Sequence, residues 1–284
     1  MNRAAFASAR QLRHSAILPS LTRVFFNFAQ PPSQAMQSFP KSAAAVPVVQ
    51  VLPLAAKSWP AAWPFSPHDF ARLDEASDAR FYDVPRFCLH IDARAAASLT
   101  QYYAAAFREW PRPSILDLCA SHVSHFPSDV ASFTGRRVAL GMNARELSSN
   151  AQVDSFVVKD LNSDPILPFD DNSFDVVTCA VSIDYINKPL AVCNEIARVL
   201  KPGGAAIFAL SNRCFPSKAV NIWLHTNDLE HVYVVGAYFH YAGKFKPACA
   251  SEISPEQQQG AALWRGGASQ NDAYLSVVKA IVDK

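Results

Sequence analysis

From residue 114 onward the sequence predicts an α/β protein built on a parallel, doubly wound sheet. Three observations predict it. Short apolar runs alternate with amphipathic stretches, as strands joined by crossover helices require. One of those stretches, PLAVCNEIARVL, places Leu190, Cys193, Ile196, Ala197 and Leu200 on a single helical face. It then meets Lys201-Pro202-Gly203-Gly204, a combination that stops a helix before the next buried strand.

In chain order, residues 58–113 form an extension ahead of the sheet. SWPAAWPFSPHDF, rich in proline and aromatics, reads as irregular. A helix follows over about 92–110, ended by Pro111 and Pro113, with Leu99, Tyr103, Ala106 and Trp110 at helical spacing to pack on the sheet. The predicted strands are 114–118, 137–141, 155–159, 174–181 and 205–210. Residues 214–242 read as one or two helices around the polar break 225–228. AYLSVVKAIV predicts a last strand on the far side of the sheet, preceded by a loose loop marked by Gly266-Gly267 and a run of glutamines. The chain therefore divides into a leader over 1–57, the extension over 58–113 and an α/β domain over 114–284.

The chain has 284 residues, half of them hydrophobic and 18% charged, enough for one sizeable core and an appendage. Its net charge of +2 is unevenly spread. No Asp or Glu precedes Asp69, while Arg3, Arg10, Arg13 and Arg23 stand among Ala, Ser and Leu. This composition predicts an organelle transit peptide, hence import machinery as a partner and a chloroplast or a mitochondrion as destination. No unbroken apolar run approaches the ~18 residues of a membrane span. Without its leader the chain is near neutral or acidic, which speaks against a nucleic-acid partner. The six cysteines never form a Cys-x-x-Cys pair, so reduced core thiols are expected rather than disulfides or zinc ligands. Cys119, His122 and His125 are three apart but have no second ligand pair, and no metal is expected.

The stretch ILDLCASHVSHFP, residues 115–127, opens like the first strand of a nucleotide-binding fold, yet carries no glycine, the first in the chain being Gly135. Farther on, LPFDDNSFDVVTCAVSIDYINKPLAVCNEIARVLKPGG resembles the motif IV to motif V region of class I S-adenosylmethionine-dependent methyltransferases of the type 11 group. From Phe81 to Gly243 the chain also resembles a plant and algal organellar subfamily with a glycine-poor motif I, on the segments FYDVPRFCLHID, ILDLCASHVSHFP, ALGMNARELSSN, VVKDLNSDPILPF, SNRCFPSKAVNIW and VVGAYFHYAG. It departs from that pattern at Ala120 and His122, where the subfamily has Ser and Trp.

The resemblance implies a Rossmann-like class I methyltransferase fold, a seven-stranded mostly parallel sheet with one reversed strand and helices on both faces. It implies S-adenosylmethionine as cofactor, bound beyond the carboxyl ends of the strands. Asp117 is then expected to face the cofactor's ammonium or to organise the loop, with Cys119, Ala120 and Ser121 small enough to keep the space glycines normally leave. Asn143 would accept from the ribose where an acid is usual, and Met142 would pack on the adenine. Asp160 and Leu161 would meet the adenine edge. Val181, Ser182 and Asp184 would lie beside the reacting methyl group, with Tyr185 as a wall. Asp184 or His125 would serve as base if the acceptor must lose a proton, although a buried structural role for His125 is an equal reading. Asn212, Arg213, His240 and Tyr241 would build the acceptor pocket. Arg213 suits either an anionic substrate or a neighbouring carboxylate. The resulting expectation is methyl transfer to an unidentified small molecule. The alternative is a methyltransferase-like fold that has lost catalysis and acts in binding or assembly.

Overall fold

Strands buried on both faces carry continuous apolar runs, because neither face needs polar residues. Ile115–Leu118 is such a run, buried throughout even though its third residue is an aspartate. The computed structural model describes residues 51–54, 59–253 and 274–284. It holds one eight-stranded sheet: β1 (Val51–Pro53), β2 (Ile115–Leu118), β3 (Arg137–Gly141), β4 (Ser155–Val158), β5 (Phe174–Ala180), β6 (Leu200–Ser211), β7 (Cys249–Glu252) and β8 (Leu275–Ile281). Their order is β1-β7-β8-β6-β5-β2-β3-β4. The pairs β4-β3, β3-β2, β2-β5 and β5-β6 are parallel, whereas β8 runs antiparallel to both β6 and β7. The chain steps outward from β2 to β4, then returns to lay β5 on the other side of β2. That reversal between β2 and β5 is the topological switch point, beyond which such sheets bind ligands.

The helices are α1 (Asp78–Phe81), α2 (Ala93–Ala106), α3 (Val130–Phe133), α4 (Ala144–Ser148), α5 (Pro189–Val199), α6 (Asn221–His225) and α7 (Asp228–Ala242). Two apolar layers flank the sheet. One gathers Leu99, Tyr103 and Phe107 of the α2 region with Phe126, Ile115 and Val176; Tyr103 and Phe107 stack at 5.1 Å. The other joins α5 and α7 to Leu116, Leu118 and Phe208. Helix α2 starts where Asp92 accepts the backbone N–H groups of Arg94 and Ala95, an N-cap that satisfies two otherwise orphaned donors. Helix α7 opens with a reciprocal Asn227–Glu230 capping box and closes on Gly243 at φ 68°, a left-handed position that glycine adopts without strain.

Several expectations change. The predicted seven strands are joined by the edge strand β1, which pairs antiparallel with β7 and lies inside the span assigned to the leader. Leu54, next in sequence, is only 3% exposed. It fills the space a side chain on Gly236 would occupy, since a Cβ there would lie 2.5 Å from Leu54 Cδ1. The last strand, β8, lies within the sheet rather than at its far side. Lys201–Gly204 does not separate helix from strand: β6 starts at Leu200, and the four residues loop out where the register with β5 jumps from Leu200↔Phe174 to Ala205↔Val176. The loop expected around Gly266-Gly267 lies outside the described residues.

Candidate functional site

Beyond the carboxyl ends of β2 to β6 the loops converge on one pocket holding about 1020 Å³ of open space, mouth included. Every one of these strands leads into part of the lining: Cys119, Ala120 and Ser121 after β2, Gly141 to Asn143 at the end of β3, Asp160 to Asn162 after β4, Val181 and Ser182 after β5, and Arg213 to Phe215 after β6. Tyr185 and Ile186 add a wall. A cover comes from the N-terminal extension, through Asp78, Tyr82, Arg86 and His90.

The glycine missing from the loop after β2 is replaced by one across from it. Ala120 N–H donates to Leu140 O at 2.9 Å, which draws the loop onto the end of β3. A Cβ on Gly141 would stand 2.1 Å from the Ala120 carbonyl oxygen, so no other residue fits there. Cys119 takes the left-handed conformation itself (φ 54°), as does Val181 at the end of β5 (φ 44°). For a β-branched residue this is a strained backbone, of the kind that surrounding structure must hold in place.

The polar lining divides into groups already saturated and groups with capacity left. Asn143 Oδ1 accepts from Arg145 N–H and Glu146 N–H, and its Nδ2 donates to the carbonyls of Tyr82 (2.8 Å) and Asp83 (3.0 Å). An asparagine has two lone pairs and two donor hydrogens on its amide, so this side chain is fully used as a helix cap and a fastening for the cover. The expected ribose contact at Asn143 is corrected accordingly. One turn further on stands Glu146, 7% exposed. Its Oε1 accepts Arg86 N–H at 2.6 Å and its Oε2 accepts Ser121 Oγ–H at 2.7 Å. A carboxylate has about four acceptor sites, so Glu146 retains room for a ligand hydroxyl. Asp160 accepts from the backbone and hydroxyl of Ser163 and from Asn162 N–H, shaping the loop that presents Leu161.

The cover is anchored by buried charge. Asp78 receives both contacts of Arg72 Nη1 (2.7 and 2.8 Å), Asn162 Nδ2 (2.9 Å) and, at 3.2 Å, the ammonium of Lys218. Lys218 is 1% exposed and also donates to the carbonyls of Asp74 and Ala76. Asn162 Nδ2 also donates to Tyr185 O. One amide thus links the extension, the loop after β4 and the loop after β5.

Six expected site residues lie outside the pocket lining. Asp117 shares the face of Ile115, opposite Leu116 and Leu118, because side chains alternate along a strand. It accepts Thr178 Oγ1–H at 2.7 Å, and burial pushes its carboxyl up to about 7. His125, at φ 57°, is drawn down to about 4 by burial and by the neighbouring histidines His122 and His90. Asp184 sits behind the wall, pushed up to about 8 by burial, with Oδ2 unpartnered. Asn212 is exposed. His240 stacks on Trp59 at 5.5 Å, and Tyr241 Oη–H donates to Pro60 O at 2.7 Å; both hold the extension against α7. The residues Cys119, Ala120, Ser121, Met142, Asn143, Asp160, Leu161, Val181, Ser182, Tyr185 and Arg213 all line the one pocket. Tyr82, Arg86, His90 and Glu146 are additions. The pattern Asn143-x-x-Glu146 was a sign of a helix start and would have withdrawn Asn143 from the ribose.

Comparison with known proteins bears on the same stretch. The model of the family described as methyltransferase domain matches residues 120–208. That stretch is 89 of the 284 residues. The loops after β2, β3, β4 and β5 belong to it almost entirely. S-adenosylmethionine is the cofactor of such a domain. A ubiquinone/menaquinone biosynthesis C-methyltransferase UbiE of Ruegeria sp. (strain TM1040) is 32% identical over 113 residues, covering 35% of this chain and 44% of that protein. A malonyl-acyl-carrier-protein O-methyltransferase of Marinomonas sp. (strain MWYL1) is 31% identical over 67 residues, covering 24% of this chain and 25% of that protein. The chain thus spans less than half the length of these curated relatives. Among solved structures, phosphoethanolamine N-methyltransferase 2 of Haemonchus contortus with S-adenosyl-L-methionine gives a TM-score of 0.46 at 15% identity, over 66% of this chain and 52% of that one.

Proposed function

We propose that this protein transfers a methyl group from S-adenosylmethionine to a small acceptor. The observation carrying this reading is that the cleft at the switch point is lined by the end of every parallel strand from β2 to β6, with the loop after β2 closed onto β3 where Ala120 meets Gly141. When bound, the cofactor supplies an electrophilic methyl for in-line displacement, a reaction in which the protein mainly aligns the partners and excludes water. Met142 and Leu161 offer apolar surface to the adenine, and Glu146 offers an acceptor to ribose hydroxyls in place of the strand-end acid. The cover formed by 78–90 keeps water from the methyl. Neither base considered from the sequence lines the pocket. His90 does, and burial lowers its pKa, so a neutral imidazole is available to take a proton from an acceptor that must lose one.

Calorimetric titration of the purified chain with S-adenosylhomocysteine tests the reading. One-site binding is expected, with thermal stabilisation reaching about 2.7 kcal/mol at a hundredfold excess over Kd. Absence of binding at millimolar ligand would refute it. Incubating small-molecule extracts with methyl-labelled cofactor then identifies the acceptor.

We also infer that the protein belongs to the organellar subfamily it resembles and is imported into a chloroplast or a mitochondrion. The acid-free, arginine-bearing first 57 residues support this. A fluorescent fusion of that segment remaining in the cytosol would refute it.

A further inference from the structure

The carboxylates of β3 and β4 and the guanidinium groups of the lining stand on different segments of the pocket. Glu146 and Asp160 stand on the side of β3 and β4. Guanidinium groups stand at the loop after β6: Arg213 belongs to that loop, and Arg86 lies over the ring of Phe215, 5.6 Å from its centroid. The other two cations of the lining, Lys159 and Arg213, have opposite partners, as does Asp78. Asp78 has Arg72 and Lys218, Lys159 has Asp164, and Arg213 has Asp92 at 3.9 Å. Arg86 differs, since among the described residues no carboxylate forms an ion pair with its guanidinium. Its Nη2 donates to Phe81 O at 2.9 Å, while Nη1 is enclosed without any partner.

The guanidinium also lies over the ring of Phe81 at 4.5 Å. Stacking occupies the face of the planar group and leaves its in-plane N–H donors, the edge that recognises carboxylate and phosphate oxygens in a forked contact. A buried polar group with no partner is uncommon in a folded protein and calls for a ligand or water to complete it. Beside it, Tyr82, Tyr185 and Phe215 offer aromatic surface, enough for an apolar body attached to the anion.

We propose that the methyl acceptor carries a carboxylate or phosphate group on an apolar body, and that Arg86, with Arg213 at the same end of the pocket, binds that group. The inference rests on the methyltransferase reading above. A modest turn of the guanidinium brings Nη1 from the wall to an oxygen in the pocket. The cofactor's own amino-acid carboxylate is the other possible source of the anion, and the test separates the two.

The full chain, saturated with S-adenosylhomocysteine, is titrated with benzoate, with inorganic phosphate and with benzamide as a neutral match for benzoate. At least one of the anions is expected to bind at least about tenfold more tightly than benzamide. Arg86→Met is expected to remove about tenfold of that affinity, and Arg86→Lys, which keeps charge without the fork, part of it, both leaving S-adenosylhomocysteine affinity within about twofold. Equal or weaker binding of both anions relative to benzamide overturns the proposal from the parent protein alone, whether or not a variant folds. Loss of S-adenosylhomocysteine affinity in Arg86→Met with unchanged binding of 5′-methylthioadenosine, which lacks the carboxylate, also overturns it and assigns the guanidinium to the cofactor. In both cases the cofactor site stands. A parent protein that binds no S-adenosylhomocysteine instead refutes the methyltransferase reading itself.

Discussion

The carbonyl oxygen of Ala120 lies where a side chain on Gly141 would begin, 2.1 Å from the position of its Cβ. The contact is backbone against backbone, so it cannot be relieved by a rotamer change. Gly141→Ala is expected to push the loop after β2 away from β3 at a cost of about 1–3 kcal/mol. Titration should find S-adenosylhomocysteine binding weakened at least about fivefold. Ala120→Gly, by contrast, should keep the affinity within about twofold, because the loop already closes without that glycine.

Asn143 stands where a carboxylate would be expected to bind ribose, yet restoring an acid there should harm the protein. Asn143→Asp keeps the acceptor for Arg145 and Glu146 but loses the amide hydrogens given to Tyr82 O and Asp83 O, setting a negative charge against two carbonyls. Chemical denaturation should show a loss of about 1–3 kcal/mol, the usual effect of leaving buried polar groups unsatisfied. Glu146→Gln is expected to weaken S-adenosylhomocysteine by about tenfold, as a charge-assisted contact is worth roughly 1.5–3 kcal/mol. Improved cofactor binding in Asn143→Asp would reverse the assignment of these two residues.

The carboxyl of Asp184 is pushed up to about 8 by burial, above its unfolded value near 4. The folded state therefore holds a proton that the unfolded state releases between those values, and this contribution to stability declines as pH rises from about 4 to about 8. Asp184→Asn removes the titration. Melting measured across that range should show the variant gaining on the parent toward pH 8 by several degrees, a kilocalorie being worth about 2–4 °C for a domain of this size. Parallel curves for the two proteins would contradict it.

Leu54 ties the edge of the sheet to α7. Leu54→Ala should lower stability by about 2–5 kcal/mol, the range for emptying a buried leucine site, and trimming the chain to begin at residue 59 should do at least as much.

The sheet was legible in the sequence because its central strands are buried on both faces and so read as unbroken apolar runs. Arg137–Gly141 was bounded correctly, and 174–181 exceeds β5 by one residue. β1 escaped notice because three residues with no partner nearby in sequence carry no periodic signal. The pocket was legible as far as strand ends define it. Side-chain direction was not: Asp117 has the right position along β2 and the wrong face, and its burial against Thr178 depends on a residue 61 positions away. His240 and Tyr241 failed for a related reason, since their partners, Trp59 and Pro60, belong to a segment that looked merely irregular. The cover over 78–90 was hidden because its fastenings, Arg86 to Glu146 and Tyr82 to Asn143, each span about sixty residues.

The position of β8 between β6 and β7 has a consequence for how the chain is made. β6 is finished at Ser211, but its neighbour on that side, Leu275–Ile281, is synthesised 64 to 70 residues later. Through that interval one edge of the longest strand is unclaimed, and β7 with β1 has nothing to join. Closing so long a loop is slow, and an open, apolar strand edge invites pairing with other chains. A stalled or truncated product ending before β8 would therefore be an aggregation-prone species, and a chaperone holding the nascent chain would find this edge the segment most in need of cover.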